Sequence, residues 1–340
     1  LRRADRVSLI VQERKVMRAV KCKQYGPAET LVVEEFDLPP PGPGHARVRI
    51  EAAGVNFPDT LMVQGKYQVK PELPFVPGAE LAGIVEAVGD GVEDLQPGMP
   101  VIGMVGQGAF ADVANVRTTR LMHRPDTMPA VTAAGFSMTY GTSMHALKQR
   151  AHLQPGETLL VLGASGGVGL AAVELGKAMG ATVIAAASSA EKLDVARKAG
   201  ADHVVNYSTE SLKERVKELT GGKGVDVVYD PVGGDLLEEA VRATAWEGRV
   251  LIVGFASGTI PKIPANLMLL KGCSLVGVFF GTFRDRDPEL NSRNFAEMFR
   301  WYEEGKLKPL ISSTLDLAEV AEAFNILTSR GAIGKVVLTT

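Results

Sequence analysis

Residues 158–169 read Thr-Leu-Leu-Val-Leu-Gly-Ala-Ser-Gly-Gly-Val-Gly, an apolar strand running straight into a glycine cluster that opens a helix. The turn lets the backbone come close to a ligand, and the helix start offers unpaired N–H groups and a partial positive charge. A dinucleotide pyrophosphate needs that arrangement. Measured against G-x-G-x-x-G, Ala164 stands at the first glycine, with Gly166 and Gly169 at the second and third. Ser165, Gly167 and Val168 complete the loop. Taken alone, the same letters also describe an ordinary tight turn, and the next hundred residues decide between the two.

After the motif, helix and strand alternate repeatedly. The pattern predicts helices over 167–180, 188–200, 209–220 and 234–245. It predicts strands over 181–187, 203–207, 225–230, 249–254 and 274–281. The strands are continuous Val/Ile/Leu runs, as expected where helices cover both faces of a parallel sheet. With right-handed crossovers this is a doubly wound dinucleotide-binding domain, its ligand at the carboxyl ends of the strands.

The end of the second strand reports on the cofactor. An NAD binder usually places Asp or Glu there, about 20 residues past the glycines, to hold the ribose 2′-hydroxyl. This chain has Ala187-Ser188-Ser189-Ala190-Glu191-Lys192, with no carboxylate at the strand tip. Glu191 is accounted for by a capping box with Ser188 at the start of the next helix. Two hydroxyls and Lys192 suit a 2′-phosphate, which points to NADPH; the plain alternative for Lys192 is a solvated lysine.

The 340 residues suit two domains with an ample core. Lys and Arg number 37 against 39 Asp and Glu, and no basic stripe for nucleic acid stands out. The uncharged stretch 158–173 holds the glycine loop and is too short and glycine-rich to span a membrane. Two cysteines, Cys22 and Cys273, lie in apolar strand patterns, which predicts a reducing cytoplasm and no disulfide framework. Residues 1–16 are charged, with one short apolar run, and read as a leader or extension outside the fold.

From Met17 to about Asn115 the texture changes to short strands cut by turns such as Pro39-Pro40-Pro41-Gly42-Pro43-Gly44. Strands are expected over 17–23, 31–36, 45–53, 81–88, 99–104 and 109–115, forming a closed, barrel-like β unit. Two helices, 292–304 and 317–329, and a strand, 334–339, return to that unit. The domains are therefore expected at 17–141 and 282–340 for one discontinuous unit and 142–281 for the nucleotide domain inserted in it, with a cleft between.

That order resembles the medium-chain dehydrogenase/reductase superfamily. Within it, Ala52-Ala53-Gly54-Val55-Asn56-Phe57-Pro58-Asp59-Thr60, Gly65-Lys66-Tyr67, Pro77-Gly78-Ala79-Glu80-Leu81-Ala82-Gly83 and Gly163–Gly169 are similar to zeta-crystallin-type NADPH:quinone oxidoreductases. The resemblance covers residues 17–340. It implies an α/β fold: a doubly wound parallel-sheet (Rossmann) nucleotide domain inserted in a discontinuous, β-rich GroES-like catalytic domain. Zinc alcohol dehydrogenases of the superfamily carry a ligand Cys where this chain has Asn56, and Gly-His-Glu where it has Gly78-Ala79-Glu80. His45, His123, His145, His152 and His203 show no ligand spacing. No catalytic metal is expected.

The resemblance further implies that Asn56 and Tyr67 line the substrate pocket, Asn56 orienting an acceptor carbonyl and Tyr67 donating a hydrogen bond or proton. A turn-closing Asn and a packed Tyr are the structural alternatives. Asp59 reads as a brace for the segment. Thr142 is implied on the nicotinamide side, Lys192 and Tyr207 at the 2′-phosphate, the 253–258 turn, with Phe255 and Ser257, beside the nicotinamide, and Lys335, near the C-terminus, as a further cofactor contact. The strand at 273–280 is expected to pair with its twin in a homodimer. Three functions remain open: an NADPH-dependent reductase of quinones or related conjugated carbonyls, a reductase of 2-enoyl thioesters, and a non-catalytic NADPH-binding protein, with RNA binding among its options. The second has its own sign, a tyrosine eleven residues after an Asn, as in Asn56 to Tyr67.

Overall fold

A computed structural model describes residues 17–329 and 331–340, so the leader expected at 1–16 lies outside the described residues. Six parallel strands form one sheet, in the spatial order His203–Asn206, Thr182–Ala187, Thr158–Leu162, Val225–Asp230, Thr244–Ile252 and Ser274–Gly277. The first strand of the series therefore sits inside the sheet. Its neighbours run outward in opposite directions, which opens a crevice above the carboxyl ends at the reversal. The apolar run of that strand serves two cores at once. Leu159 and Val161 pack into one cluster, Leu160 and Leu162 into another, because successive side chains of a strand point to opposite faces.

The boundaries move where side chains decide them. The helix after the second strand is Ala190–Lys198, and its cap is Ser189, whose side chain accepts from the Lys192 N–H at 3.4 Å. Ser188 is thus released from the capping role expected of it. The strand expected at 249–254 begins at Thr244 instead, and its pairing is irregular: Val225 opposes Thr244, but Val227 already opposes Arg249. The last strand ends at Gly277 rather than 281. Aromatic residues turn the chain there into a helix, Phe280–Arg286, with Phe280 against Gly141 and Phe283 stacked on His145 at 3.9 Å between ring centres.

The second sheet has seven strands. Its path runs Ile311–Asp316, Lys335–Thr339, His45–Val55, Glu80–Val88, Pro100–Met104, Leu121–His123, and Val113–Arg117 pairs with the first half of the 45–55 strand. Among the described residues no pair joins the two ends of this path, so the closed barrel expected from the turn spacing is an open ladder. A hairpin of Met17–Lys21 and Val32–Phe36 attaches through single bridges, Ala19 to Ala111 and Cys22 to Phe75. Both cysteines are free thiols.

Two contacts fix the units against each other. In the helix Ser137–Met144, Tyr140 stacks on Phe136 and donates to Glu174 Oε2 at 2.7 Å, on the helix that succeeds the glycine loop. The same carboxylate oxygen accepts from the Lys308 N–H at 2.9 Å. On the other side, the Gly334 N–H donates to the Ser165 carbonyl at 2.7 Å, so the returning strand starts on the glycine loop itself.

Candidate active site

The glycine loop forms as the motif predicts: the strand ends at Leu162, and the helix Gly167–Ala178 begins after Gly166. A Cβ on Gly169 would run into the Gly163 carbonyl oxygen, so the helix packs this close only because that position is glycine. No side chain caps this helix, and its first N–H groups remain available to an anion. Ala164 is fully buried, and Ser165 nearly so.

At the tip of the second strand, Lys192 Nζ reaches Ser188 Oγ at 3.5 Å, so the lysine and the hydroxyl expected at the 2′-phosphate converge. Tyr207 comes just after the neighbouring strand, its N–H on the Ala187 carbonyl at 3.2 Å. The 253–258 turn is tied to the end of the fourth strand by Val253 N–H to Asp230 O and Ser257 N–H to Val232 O, both 2.9 Å. Phe255 covers Gly233, and Ser257 lies over Gly234. Asp230, which the sequence did not single out, organises this corner: its buried Oδ1 accepts from the N–H groups of Val232 at 2.7 Å and Gly233 at 2.9 Å. Thr142 is half-buried, one residue before Ser143, whose hydroxyl reaches the Val168 carbonyl at 3.0 Å.

Asn56, implied on the acceptor side, sits in a buried knot of polar groups drawn from separate segments of the chain. The Lys335 ammonium donates to Val55 O at 2.8 Å and Asn56 Oδ1 at 2.6 Å, and pairs with Glu80 Oε1 at 2.7 Å. Glu80 Oε1 also accepts from Asn56 Nδ2 at 2.9 Å, and its Oε2 from the Met138 N–H at 2.8 Å. Asn56 and Lys335 are nearly buried and Glu80 wholly so. A buried ion pair holds only when its remaining polar atoms are satisfied, and here Asn56 satisfies both members. The structure therefore turns the charged end of Lys335 toward Asn56 and Glu80. Only its stem lies near Gly135 and the glycine-loop residue Gly167.

Asp59 braces this segment as expected: its Oδ2 accepts from the Asn56 N–H at 2.8 Å, at the start of the helix Phe57–Val63. Its other oxygen is buried with no hydrogen-bond partner. Burial pushes its carboxyl up to about 7, against the opposing pull of the Asn56 N–H and Lys335. Tyr67 is half-buried at the edge of the β-unit core. Burial first, and the Asp59 charge second, push its phenol up, and no hydrogen bond occupies its hydroxyl among the described residues. Ala79 is buried beside Glu80. Among the described residues no three His, Cys, Asp or Glu side chains gather as a metal would require.

A family model described as an alcohol dehydrogenase GroES-like domain matches residues 42–126, and one described as a zinc-binding dehydrogenase matches 167–303. The chain is 42% identical over 330 residues to a quinone oxidoreductase-like protein 2 homolog of Nematostella vectensis, covering 96% of this chain and 90% of the relative. It is 36% identical over 323 residues to a quinone oxidoreductase of Pseudomonas aeruginosa, covering 94% of this chain and 99% of that one. The chain belongs to the quinone oxidoreductase family of medium-chain dehydrogenases/reductases. Its fold matches that of Escherichia coli quinone oxidoreductase complexed with NADPH at a TM-score of 0.88 and 31% identity, covering 95% of this chain and all of that one. The two-unit α/β architecture is thus that of the family, and the protein is an oxidoreductase. No described helix is long and apolar enough to cross a membrane.

Proposed function

We propose that this quinone oxidoreductase family member uses NADPH to reduce a quinone or a related conjugated carbonyl, without a zinc ion. The observation that carries the reading is the Asn56–Glu80–Lys335 knot. The ammonium already neutralises Glu80, and the two polar atoms of Asn56 are taken by the pair. A cation at this place would have to displace Lys335 and would find an amide and an alanine in place of thiolate and imidazole.

The nucleotide side fits the dinucleotide: an uncapped helix start for the pyrophosphate, and Ser188 with Lys192 for the 2′-phosphate. Tyr207, Thr142, Phe255 and Ser257 complete that wall. Bound there, NADPH supplies the hydride. The chain's own contribution is orientation, exclusion of water and hydrogen bonding to the oxygen that gains charge. Asn56 is held rigidly by its two partners, and the Tyr67 hydroxyl is left for a ligand. The two free thiols suit the reducing cytoplasm. The exposed side chains of Leu275 and Phe279 beside the sheet edge suit a twin strand in a homodimer.

Steady-state oxidation of NADPH and NADH over a panel of quinones, enones and enoyl thioesters, with and without a chelator, tests the reading. Turnover of quinones with NADPH that survives chelation is expected; loss of turnover on chelation, or none on any acceptor, overturns it. Reduction of enoyl thioesters is a second reading, favoured by the unoccupied Tyr67 hydroxyl eleven residues after Asn56. In Tyr67→Phe it predicts a kcat loss approaching ~10²-fold, as for one oxyanion donor, with a smaller loss on quinones, whose reduced oxygen solvent protonates.

A further inference from the structure

If the protein is the reductase proposed for it, the hydride leaves a nicotinamide held by the nucleotide unit for an acceptor held by the β-rich unit. The placement of one unit against the other is then part of the chemistry. Reacting atoms have to stand about 3–3.5 Å apart, and an error of about 1 Å can cost on the order of 10²-fold in rate. Two consecutive residues, Gly334 and Lys335, join the two sides. The Gly334 N–H donates to the Ser165 carbonyl at 2.7 Å, and Gly334 bridges to Gly166 of the glycine loop. One residue on, the Lys335 ammonium meets Val55 O at 2.8 Å, Asn56 Oδ1 at 2.6 Å and Glu80 Oε1 at 2.7 Å.

This join has no slack. The lysine stem runs against Gly135, where a Cβ would stand 2.7 Å from its Cγ, and past Gly167 at the start of the glycine-loop helix. The three hydrogens of an ammonium are matched here by three acceptors. The Asn56 amide likewise spends its hydrogens on Glu80 Oε1 at 2.9 Å and Gly54 O at 3.2 Å. Lys335 therefore has no hydrogen left for an acceptor, and its effect has to be geometric. Glu80 carries the join one element further. Its Oε2 accepts from the Met138 N–H at 2.8 Å, in the helix Ser137–Met144 that also holds Thr142.

A buried ion pair adds little stability over apolar packing, yet losing one partner is strongly destabilising. Glu80 is wholly buried, so a slip of the closing strand away from Asn56 would strand its charge. The pair thus tolerates one placement and penalises its neighbours. We propose that Lys335 is a positioning residue: through Gly334 it locks the glycine loop to the Asn56 segment, and so sets the distance the hydride crosses. It touches neither the hydride nor the acceptor. Its ion pair with Glu80 is the lock, and the packed stem transmits it.

Two variants test this. Gly135→Ala keeps every charge but pushes the lysine stem aside, at a backbone φ of −93° that alanine adopts freely. The double variant Glu80→Gln/Lys335→Met removes the lock and leaves no buried charge unpaired. With the acceptor that the wild type reduces fastest, kcat should fall on the order of tenfold in the first and 10²-fold in the second. The Kd for NADPH should stay unchanged. The isotope effect on kcat, with NADPH deuterated at the transferred position, should rise because the hydride step is the one slowed; a loss of stability alone would leave it as it was. In the ligand-free protein, hydrogen exchange at the Gly334 N–H should be faster in the double variant than in the wild type. Either variant with the wild-type kcat and isotope effect overturns the inference alone. So does a weakened NADPH affinity at unchanged kcat, which makes Lys335 a plain cofactor contact. A wild type that passes no hydride from NADPH to any quinone, enone or enoyl thioester overturns the functional reading and the inference together.

Discussion

Asp59 carries a carboxyl group sealed from water, and that placement gives it a stability signature. Below about pH 4 the group is protonated in both the folded and the unfolded chain and makes no difference. Between about pH 4 and 7 the unfolded chain releases the proton while the folded one keeps it, so stability falls as pH rises. Above about 7 the whole difference persists, on the order of 4 kcal/mol for a group raised to about 7 from the usual carboxylate value. Asp59→Asn should therefore gain stability relative to wild type as pH rises from 4 to 8, read as the difference in Tm at the two pH values. A cap with no proton to hold would give the same difference at both.

At the scale of elements, two adjacent serines have separate tasks. Ser189 caps the helix Ala190–Lys198, whereas Ser188 meets the Lys192 ammonium. Ser189→Ala should cost about 1 kcal/mol of stability and little NADPH affinity; Ser188→Ala should do the reverse, as thermal melts and cofactor titration would show. The sequence made the loop, the alternation and the absence of a strand-end carboxylate legible, because each lies in one stretch of chain. It assigned the cap to the wrong serine, since both fit the local rule and only the backbone angles choose. The strands Leu121–His123 and Ile311–Asp316 carried no clear alternation and form by pairing with neighbours. The acceptor knot was the least legible part. Asn56 was visible through the resemblance, but Lys335 was expected at the cofactor and Glu80 only as a motif letter. Lys335 meets Asn56 across 279 positions and Val55 across 280, which no local pattern encodes.

For the whole molecule, the exposed edge at Ser274–Gly277 is the surface that most needs explaining. Leu275 and Phe279 stand open to solvent beside it, and nearby Trp246, Leu269 and Leu270 are exposed as well. An apolar sheet edge of this kind invites another strand, and a two-fold partner satisfies it without leaving a new edge. Val278→Asp should dissociate or aggregate the protein, and sedimentation of wild type at micromolar concentration should give a dimer; a wild-type monomer would refute the arrangement.

The strand Lys335–Thr339 lies between Ile311–Asp316 and His45–Val55 in its sheet. This placement also bears on how the chain assembles. The nucleotide sheet is drawn from one continuous stretch, so its strand pairings join segments close in sequence. The acceptor sheet stays incomplete until a strand meets a partner made some 280 residues earlier. Contacts of such sequence separation form slowly, because the closure entropy is lost before any packing returns it. The cofactor cradle thus has the means to take shape as a template. The other half depends on the last stretch of chain, which reaches the glycine loop through the Gly334 N–H.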